Sequence, residues 1–592
     1  MHLPILKREN RYKRSIISFG GINATSNYSP GELSDCIGIT HSEFPFITQR
    51  KKSENIFSCI SPTAAVQGAS ECVAAEDGFY YNRKKVGELS PGKKQLVAMG
   101  NRIIVFPDKM YYDTETGQFK SLSGEVSSSG AKVTFTKKSI SVQTDFTETV
   151  KENNRIVFSK GMMITTYEKA STSGENLSLT GLNLKECGEL QAGTIFKERC
   201  EKNQYRVVES INYLEEKEEY EIMNELVTVK KTAADLFSGF KEGDVIEIIG
   251  CVAIPENNCQ ATVLSVNGTS MSFDSEYFTE GTENGGISIR RKIPDFTSAC
   301  SYENRLWGVE GNTIYASALG DITSFFTYKG VATDSFTVTS NSAGDFTACT
   351  SYGNSCFFFK ENTCYKLYGN RPANFQLVES FGMGILKNDS DSIAVAGDKL
   401  IYKGNGGIYV CHGGSPERIS DSLGNIKMEN AVSGSNGKLY YISADTENGR
   451  EEFIWDIEKN LWCKSGVSDV RGYASYGEKV YRLMKDGIEQ ITSETDNEAN
   501  WSITMCPFDE GFYGTKNYSR LRIKAQLFEG AYIRTEIKED DGNWRIVNTS
   551  YGDRKKYINI PCAVKSCHEL RIRLSGKGRS VLETVTREFS VN

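Results

Sequence analysis

Three acidic residues of the chain have the chemistry that a glycoside hydrolase uses. Cleavage of a glycosidic bond needs two carboxyl groups, one to protonate the leaving oxygen and one to act as base or nucleophile. The candidates are Asp321, Asp445 and Glu452. Acidic residues are also common in turns, and the Ser-x-Asp-x-Gly-x-Thr-Trp pattern of sialidase-like propellers is absent from the sequence. The turn interpretation is favoured, and glycan cleavage stays an alternative.

Residue spacing gives no support for histidine-based catalysis or for phosphate binding. The four histidines lie far apart in the sequence: His2, His41, His412 and His568. The chain has neither the Gly-x-Ser-x-Gly turn of a serine nucleophile nor a Gly-rich phosphate loop ending in Lys-Ser or Lys-Thr. The glycines on either side of His412 are typical of hairpin turns, and they form the runs Gly404-Asn405-Gly406-Gly407 and Gly413-Gly414.

The cysteines and the acidic residues do not predict a metal site. Cysteines number 16 and occur without the Cys-x-x-Cys pairs typical of zinc ligands. Cys356 and Cys364 adjoin apolar strands, where free cysteine behaves as a small hydrophobic residue. The run Glu539-Asp540-Asp541-Gly542-Asn543 lacks the spacing of a calcium loop and predicts a hairpin turn. We predict no catalytic, cofactor-binding or metal-binding residue, and we expect no enzyme activity.

Two charged runs are candidates for contact with a partner. The first, Lys7-Arg8-Glu9-Asn10-Arg11-Tyr12-Lys13-Arg14, combines basic residues with one aromatic residue. An isolated run of this kind at a terminus predicts a solvated or inter-subunit arm rather than a nucleic-acid site. The second run, Leu214-Glu215-Glu216-Lys217-Glu218-Glu219-Tyr220, predicts a solvated face.

Composition indicates several all-β folding units. The chain has 592 residues, of which 39% are hydrophobic and 24% are charged, and it contains 54 Gly, 29 Tyr and 30 Phe but only 12 Pro. Such a balance is typical of a globular protein with short strands and tight turns. The net charge of −7 argues against a general DNA-binding role. The sequence shows no secretory signal and no long apolar stretch, so we expect synthesis in a reducing cytoplasm.

A repeat of about forty residues predicts a β-propeller. Each copy has a strand of small residues, a Gly-containing turn and an apolar strand, followed by an outer hairpin. The turns at residues 353, 397, 436 and 477 are separated by 44, 39 and 41 positions. Asn-Gly and Asp-Gly steps between alternating hydrophobic residues are strong hairpin signals. This spacing predicts four-stranded blades.

Further copies extend the repeat towards the N-terminus. Two clear ones lie at Ala98-Met99-Gly100-Asn101 and Ser301-Tyr302-Glu303-Asn304, and a weak first copy lies at Val73-Ala74-Ala75-Glu76-Asp77-Gly78. We predict six to seven blades, because the first copy is degenerate. The clear copies at 100 and 304 are 204 positions apart, which predicts an inserted domain between them.

The remaining segments predict two further β-domains. Within residues 124–295, which begin with a Ser-rich run at Ser127-Ser128-Ser129-Gly130, the strands around Asn267-Gly268 predict a small β-barrel. After residue 496, strands such as Leu570-Arg571-Ile572-Arg573-Leu574 alternate apolar and charged residues, which predicts a β-sandwich. The predicted organisation is an N-terminal arm that leads into the propeller (1–60), the first blades (61–123), the insertion (124–295), the remaining blades (296–496) and the sandwich (497–592).

Six segments that frame most of the chain contain recognisable motifs: Ser18–Asn23, Gly31–Cys36, Phe44–Arg50, Glu303–Phe326, Arg571–Gly578 and Thr586–Phe589. In these segments the sequence resembles the tail nozzle or tail tubular proteins of short-tailed bacteriophages. Phe44 stands where the family pattern has Tyr, and the insertion has no matching segment. The resemblance implies a homo-oligomeric ring around a channel for DNA, made of β-propellers with further β-domains along the axis.

These observations together give one functional hypothesis and two alternatives. We expect a structural component of a tailed-bacteriophage virion, of nozzle or hub type, that forms part of the channel for DNA ejection. Its expected partners are copies of itself, other tail or adaptor proteins and passing DNA that is not read by sequence, with no membrane insertion. Its expected location is the virion tail, after synthesis in the bacterial host cytoplasm. The alternatives are a glycan-binding propeller for host attachment and a glycoside hydrolase.

Overall fold

A computed structural model describes residues 10–66, 72–127, 132–142 and 236–591, except 285, 381–382, 413, 477, 492–498 and 553. Between residues 143 and 235 it describes only the backbone of strands. The predicted all-β class is confirmed, since the described elements are antiparallel sheets with a few short 3-10 turns. No helix in the described part of the chain is long and apolar enough to span a membrane.

Seven four-stranded antiparallel sheets form the blades of a propeller within the described residues. Blade 1 contains Ala64–Val66, Cys72–Ala75, Gly78–Tyr81 and Lys84–Gly87; blade 2 contains Gln95–Met99, Arg102–Phe106, Met110–Asp113 and Gln118–Ser121; and blade 3 contains Ser298–Tyr302, Arg305–Glu310, Thr313–Ala316 and Phe336–Thr339. Blade 4 contains Phe346–Tyr352, Ser355–Lys360, Cys364–Tyr368 and Gln376–Ser380, and blade 5 contains Ala394–Ala396, Lys399–Gly404, Gly407–Cys411 and Glu417–Arg418. Blade 6 contains Glu429–Ser435, Leu439–Thr446, Gly449–Asp456 and Leu461–Lys464, and blade 7 contains Gly472–Tyr476, Lys479–Met484, Gly487–Gln490 and Glu54–Phe57.

The ring is closed by strands from distant parts of the sequence. Glu54–Phe57 pairs with Gly487–Gln490 and supplies the outermost strand of blade 7. The first strands of successive blades contact each other, except between blades 4 and 5, where the 3-10 turn Lys387–Ser392 intervenes. Small side chains on these first strands allow the blades to converge at the axis. The weak first copy of the repeat contains the second and third strands of blade 1 rather than its first two.

The inserted domain contains a sheet of eight strands. Its strands are Val126–Ser127, Val133–Thr136, Ser139–Val142, Val245–Ile249, Gln260–Asn267, Ser270–Phe273, Gly281–Glu283 and Ser288–Arg291. The Asn267-Gly268 turn joins two of them as predicted. Phe135, Ile246 and Ile289 are among the fully buried residues of its core. A separate seven-stranded sheet is formed by Thr147–Ser159, Ile164–Lys169, Leu179–Leu184, Ile195–Phe196, Gln204–Val207, Ser210–Leu214 and Glu219–Lys230.

The sandwich is built from both ends of the described chain. Sheet I contains Arg11–Ile16, Ile39–Thr40, Ile47–Gln49, Lys516–Leu527, Lys555–Pro561 and Ser580–Val591. Sheet II contains Leu33–Ile37, Asn500–Met505, Ala531–Glu539, Arg545–Gly552 and Leu570–Lys577. The predicted N-terminal arm is therefore wrong for residues 11–49, which belong to the sandwich. Arg11–Ile16 pairs with Ser580–Val591, and a pairing over such a sequence distance leaves no local signal.

Candidate functional site

The three carboxylates considered for hydrolysis do not lie on one blade. Asp321 follows the third strand of blade 3, where it caps Thr323 and pairs with Lys241 of the insertion. Asp445 and Glu452 belong to adjacent strands of blade 6. Asp445 pairs with Arg450 at 2.9 Å and accepts a hydrogen bond from Asn430. Burial acts to raise the pKa of Asp445, but these two partners lower it overall. A general acid needs the opposite shift.

Glu452 forms a fully buried ion pair between blades 6 and 7. Its two carboxylate oxygens accept hydrogen bonds from Arg482 Nε and Nη2 at 2.7 and 2.6 Å, and Tyr473 donates to Oε1 at 2.7 Å. Burial alone would raise the pKa of Glu452, but the charge and hydrogen bonds of Arg482 outweigh it and lower the pKa. Glu452 is thus held as an anion that ties two blades together.

The described histidines lie in different surroundings. His41 is buried, and its Nε2 lies 2.9 Å from the carbonyl oxygen of Gly20. Burial lowers the pKa of His41 below its usual range. His412 and His568 are exposed on blade 5 and on the sandwich. His2 lies outside the described residues.

The glycine-rich turn of blade 5 borders a pocket of about 350 Å³. The turn joins Lys399–Gly404 to Gly407–Cys411, as the hairpin interpretation predicts; Gly413 lies outside the described residues. Two of the charged lining residues are already paired: Lys403 binds Asp389 at 2.6 Å, and Arg418 lies 3.1 Å from Asp421. Glu429 is the one carboxylate among the described lining residues, so the pocket does not offer the pair that glycoside hydrolysis uses.

The acidic run 539–543 forms the turn between Ala531–Glu539 and Arg545–Gly552. Glu539 pairs with Arg545 at 2.6 Å, and Asp540 accepts hydrogen bonds from the backbone of His568 and Glu569. Within the described residues, no cluster of His, Cys, Asp and Glu has the arrangement of a metal site. The 14 described cysteines are all free thiols.

The first of the two charged runs lies partly in a strand of the sandwich, and the second is described only in part. Arg11–Ile16 is a strand of sheet I, so this half of the predicted arm is part of the fold. Arg14 lies 3.8 Å from Glu510 in the sandwich. Lys7 and Arg8 lie outside the described residues, as do 215–218 of the second run and 128–130 of the Ser-rich run.

The opening motif forms a joint between the sandwich and blade 6, which we define as Gly21, Ile22 and Gly38 against Trp462 and Lys464. Ile22 N–H donates to Trp462 C=O at 2.8 Å, and Gly38 N–H donates to Lys464 C=O at 3.0 Å. A Cβ on Gly21 would lie 2.6 Å from Trp462 O and 2.7 Å from Trp462 N. Only glycine allows this close approach. The joint covers the outer edge of blade 6, which would otherwise expose unpaired backbone groups.

Polar residues of the same motif fix the loop that makes the joint. Asn23 Nδ2 donates to Asn27 C=O at 3.0 Å and to Glu32 Oε2 at 2.9 Å, while its Oδ1 accepts from Thr25 N–H. Glu32 also accepts a hydrogen bond from Ser29 N–H. Asn23 and Glu32 therefore fold the loop on itself, which accounts for their place in the motif.

The second part of the opening motif ties the sandwich to the propeller. Phe19 N–H donates to Pro45 C=O at 3.0 Å. Arg50 Nε donates to Ile39 C=O at 3.3 Å, and its Nη2 lies 3.6 Å from Cys463 Sγ in the last strand of blade 6. Arg50 thus contacts a sandwich strand and a propeller strand at once.

The closing motif supplies a buried ion pair inside the sandwich. Arg587 Nε and Nη2 donate to the two carboxylate oxygens of Glu510 at 2.6 and 3.2 Å, and Tyr518 donates to Glu510 at 3.3 Å. The guanidinium of Arg587 lies 3.7 Å from the ring centroid of Phe508. Sequence reasoning did not find this pair or the Glu452–Arg482 pair. The available signal was a charged residue at an inward position of an apolar strand, as at Arg482 in Lys479–Met484.

Comparison with known proteins gives weak structural likenesses. No family model matches the chain, and no curated protein matches it. The chain is similar to exo-β-1,3-galactanase from Phanerochaete chrysosporium, at 10% identity and a TM-score of 0.18, over 50% of this chain and 96% of that chain.

Two other solved structures cover more of the chain. PorZ, a surface component of the type-IX secretion system of Porphyromonas gingivalis, has 9% identity and a TM-score of 0.21, over 90% of this chain and 78% of that chain. The N-terminal domain of Nup159 has 9% identity and a TM-score of 0.21, over 80% of this chain and 98% of that chain. At these scores the likenesses carry no conclusion about function.

Proposed function

We propose that the protein is a structural component of a tailed-bacteriophage virion, of nozzle or hub type, that forms part of the channel for DNA ejection. The observation that carries the proposal is the joint. The opening and closing segments that resemble tail nozzle proteins come together in one sandwich, and the opening segment fixes this sandwich to blade 6. Part of the resemblance thus lies in residues that hold two domains together.

The strand pairing connects the propeller and the sandwich at more than one place. Glu54–Phe57 completes blade 7, and the strands before it lie in the sandwich. The chain also returns from blade 7 to the sandwich at Asn500–Met505. The two domains are therefore connected by two chain crossings as well as by the joint. Such a unit suits a particle component that must keep its shape while DNA passes.

The sandwich also offers edges for contact between copies. Arg545–Gly552 and Lys555–Pro561 are edge strands of sheets II and I. Ile546 and Tyr557 on these strands are 58% and 76% exposed. Exposed edge strands with large apolar side chains favour association with another chain. This supports a homo-oligomeric ring with the sandwich in the subunit contact.

Electron microscopy of the purified full chain tests the proposal. We expect rings with a central channel, and an antibody against the chain should label the tail axis of the particles that contain it. Tyr557→Glu should shift the population from rings to monomers, whereas Tyr513→Glu, at a fully exposed loop position, should not. A stable monomer that is absent from phage particles would overturn the proposal, and turnover of a glycan panel would favour the hydrolase alternative.

A further inference from the structure

The chain as a whole has a negative net charge, but one of its domains is basic. Residues 10–50 and 499–591, which contain the sandwich, have 20 Lys and Arg against 14 Asp and Glu, a net charge of +6. The whole chain has 69 against 76, so the remaining residues have 49 against 62, a net charge of −13. Opposite charges are therefore segregated into different domains.

The basic residues of the sandwich are concentrated on the outer face of sheet II. Strands Ala531–Glu539 and Leu570–Lys577 pair in the middle of this sheet, and their alternate residues are buried in the core. The outward positions carry five cations and one carboxylate, Glu536. We define the cationic face by these five residues: Arg534, Lys538, Arg571, Arg573 and Lys577.

Part of this charge is neutralised within the chain. Arg573 is paired with Glu536, at 2.9 and 3.0 Å. Arg571 lies 3.9 Å from Glu569, both being partly exposed. Among the described residues, Arg534 and Lys538 have no carboxylate within ion-pair distance. At least two cations of the face are therefore available to a ligand.

The other outer face of the sandwich provides an internal contrast. On sheet I, Arg522 pairs with Glu588 at 2.8 Å, and Lys524 pairs with Glu583 at 2.6 Å. Each of these two cations is thus matched by a carboxylate of the neighbouring strand. On the cationic face of sheet II, Arg573 has such a match in Glu536, whereas Arg534 and Lys538 have none among the described residues.

Aromatic side chains accompany the cations. Trp544 lies under the guanidinium of Arg573, which is 4.4 Å from the ring centroid. Tyr532 lies directly opposite Lys577 on the paired strand. Arginine and aromatic side chains on one sheet are a combination that contacts phosphates, sugars and bases.

We propose that the cationic face binds the phosphate backbone of double-stranded DNA, an inference that rests on the proposed virion function for the identity of this polyanion. Outward residues repeat along a strand about every 6.8 Å, which is twice the axial rise of about 3.4 Å per nucleotide in one DNA strand. Arg571 and Arg573 are successive outward residues at this spacing, and cations repeated in this way fit a regular polyanion better than a folded acidic protein. The strongly negative remainder of the chain limits DNA contact to this face, so binding is weak and salt-sensitive.

Fluorescence anisotropy of the full chain with a labelled duplex of about 30 base pairs tests the inference. The double variant Arg534→Glu/Lys538→Glu changes the two cations without ion pairs, and Lys84→Glu/Lys120→Glu makes the same change of net charge at exposed positions of blades 1 and 2. We expect the first variant to raise Kd at least about tenfold and to reduce the slope of log K against log salt by about 2. The control should stay within about twofold of the parent chain.

Each other outcome has a defined meaning. Unchanged DNA binding by Arg534→Glu/Lys538→Glu overturns the assignment of the face. Loss of rings in that variant, with no DNA binding by the parent chain, also overturns it and makes the face a contact for an acidic protein surface. Rings that persist while DNA binding is absent leave the proposed virion function standing and reject only the DNA contact.

Discussion

The propeller and the sandwich each contain a buried ion pair between a glutamate and an arginine. In the propeller, Glu452 and Arg482 connect neighbouring blades that are close in sequence, with side chains 0% and 2% exposed. In the sandwich, Glu510 and Arg587 connect a loop to the last strand of the chain, with side chains 1% and 4% exposed. Both carboxylates also accept a tyrosine hydrogen bond. The two pairs have the same chemistry, but the sequence separation between the paired residues differs.

This difference shows what each pair contributes. The blades are local units of hairpins, and their contacts with each other are made by packing of their faces, so a pair between blades adds a directional tie to a repeated interface. The sandwich has no local unit, because most of its strands pair with distant partners. Its ion pair is one of many long-range contacts and has additional support from Arg14 and Phe508.

Arg482→Met should give the largest loss of stability. It leaves Glu452 as a buried anion whose remaining hydrogen bonds come from neutral donors such as Tyr473, and breaking a buried pair in this way costs about 4 kcal/mol. Hydrogen exchange with mass spectrometry should show faster exchange in Lys479–Met484 and Gly449–Asp456 than in the sandwich strands.

The double variant Glu452→Leu/Arg482→Met is the control for this experiment. It removes both charges and should recover most of the lost protection, because apolar replacement of a buried pair is often neutral. Equal exchange in the parent chain and in Arg482→Met would show that the pair does not hold blades 6 and 7 together.

Arg587→Met should cost less, about 3 kcal/mol. Glu510 then keeps the nearby guanidinium of Arg14 and the hydroxyl of Tyr518, so the remaining anion is better compensated than Glu452 in the first variant. Exchange should increase in Ser580–Val591 and Lys516–Leu527 and stay unchanged in blade 7. A loss larger than that of Arg482→Met would reverse the comparison between the two domains.

The contrast between local and distant pairing also explains what the sequence predicts. The turns at 353, 397 and 436 and the strands around them mark blades 4 to 6, because each hairpin is formed within about forty residues. No local hairpin pattern in the sequence indicates that Glu54–Phe57 completes blade 7. Four residues with one alternating pattern do not indicate which of many edges they join. The number of blades therefore stayed open until the structure gave seven.

The candidate site was predictable only in part. The opening motif was recognised from Gly20-Gly21 and Glu32, but its role at the joint depends on the backbone of Trp462, far away in the sequence. The turn interpretation of the acidic run 539–543 agrees with the hairpin seen there. The buried charges of Glu452 and Glu510 were not recognised as ion pairs, since their arginine partners are specified by packing and not by spacing.

Gly21→Ala should have an intermediate effect that is confined to the joint. The added Cβ would meet backbone atoms of Trp462, which cannot rotate away, and strain of this kind costs about 2 kcal/mol. We expect faster exchange in Leu33–Ile37 and Leu461–Lys464, with both domain cores unchanged. Gly414→Ala is the matched control, because no heavy atom lies within 4 Å of its Cβ position. Global unfolding of both domains by Gly21→Ala would mean that the joint is not a separable contact.

The smallest expected effect is a pH dependence of the joint that the two domain cores do not share. The folded pKa of His41 is lowered by burial, so the folded protein holds it neutral while the unfolded chain takes up a proton below about pH 6.5. Its contribution to stability is complete above that pH and is lost as the pH falls towards the lower folded pKa. After correction for intrinsic rates, exchange around Gly20 should therefore be faster at pH 5.5 than at pH 7.5. His41→Gln should abolish this dependence, whereas His568→Gln, at an exposed position, should preserve it; a dependence that survives His41→Gln would assign it to another group.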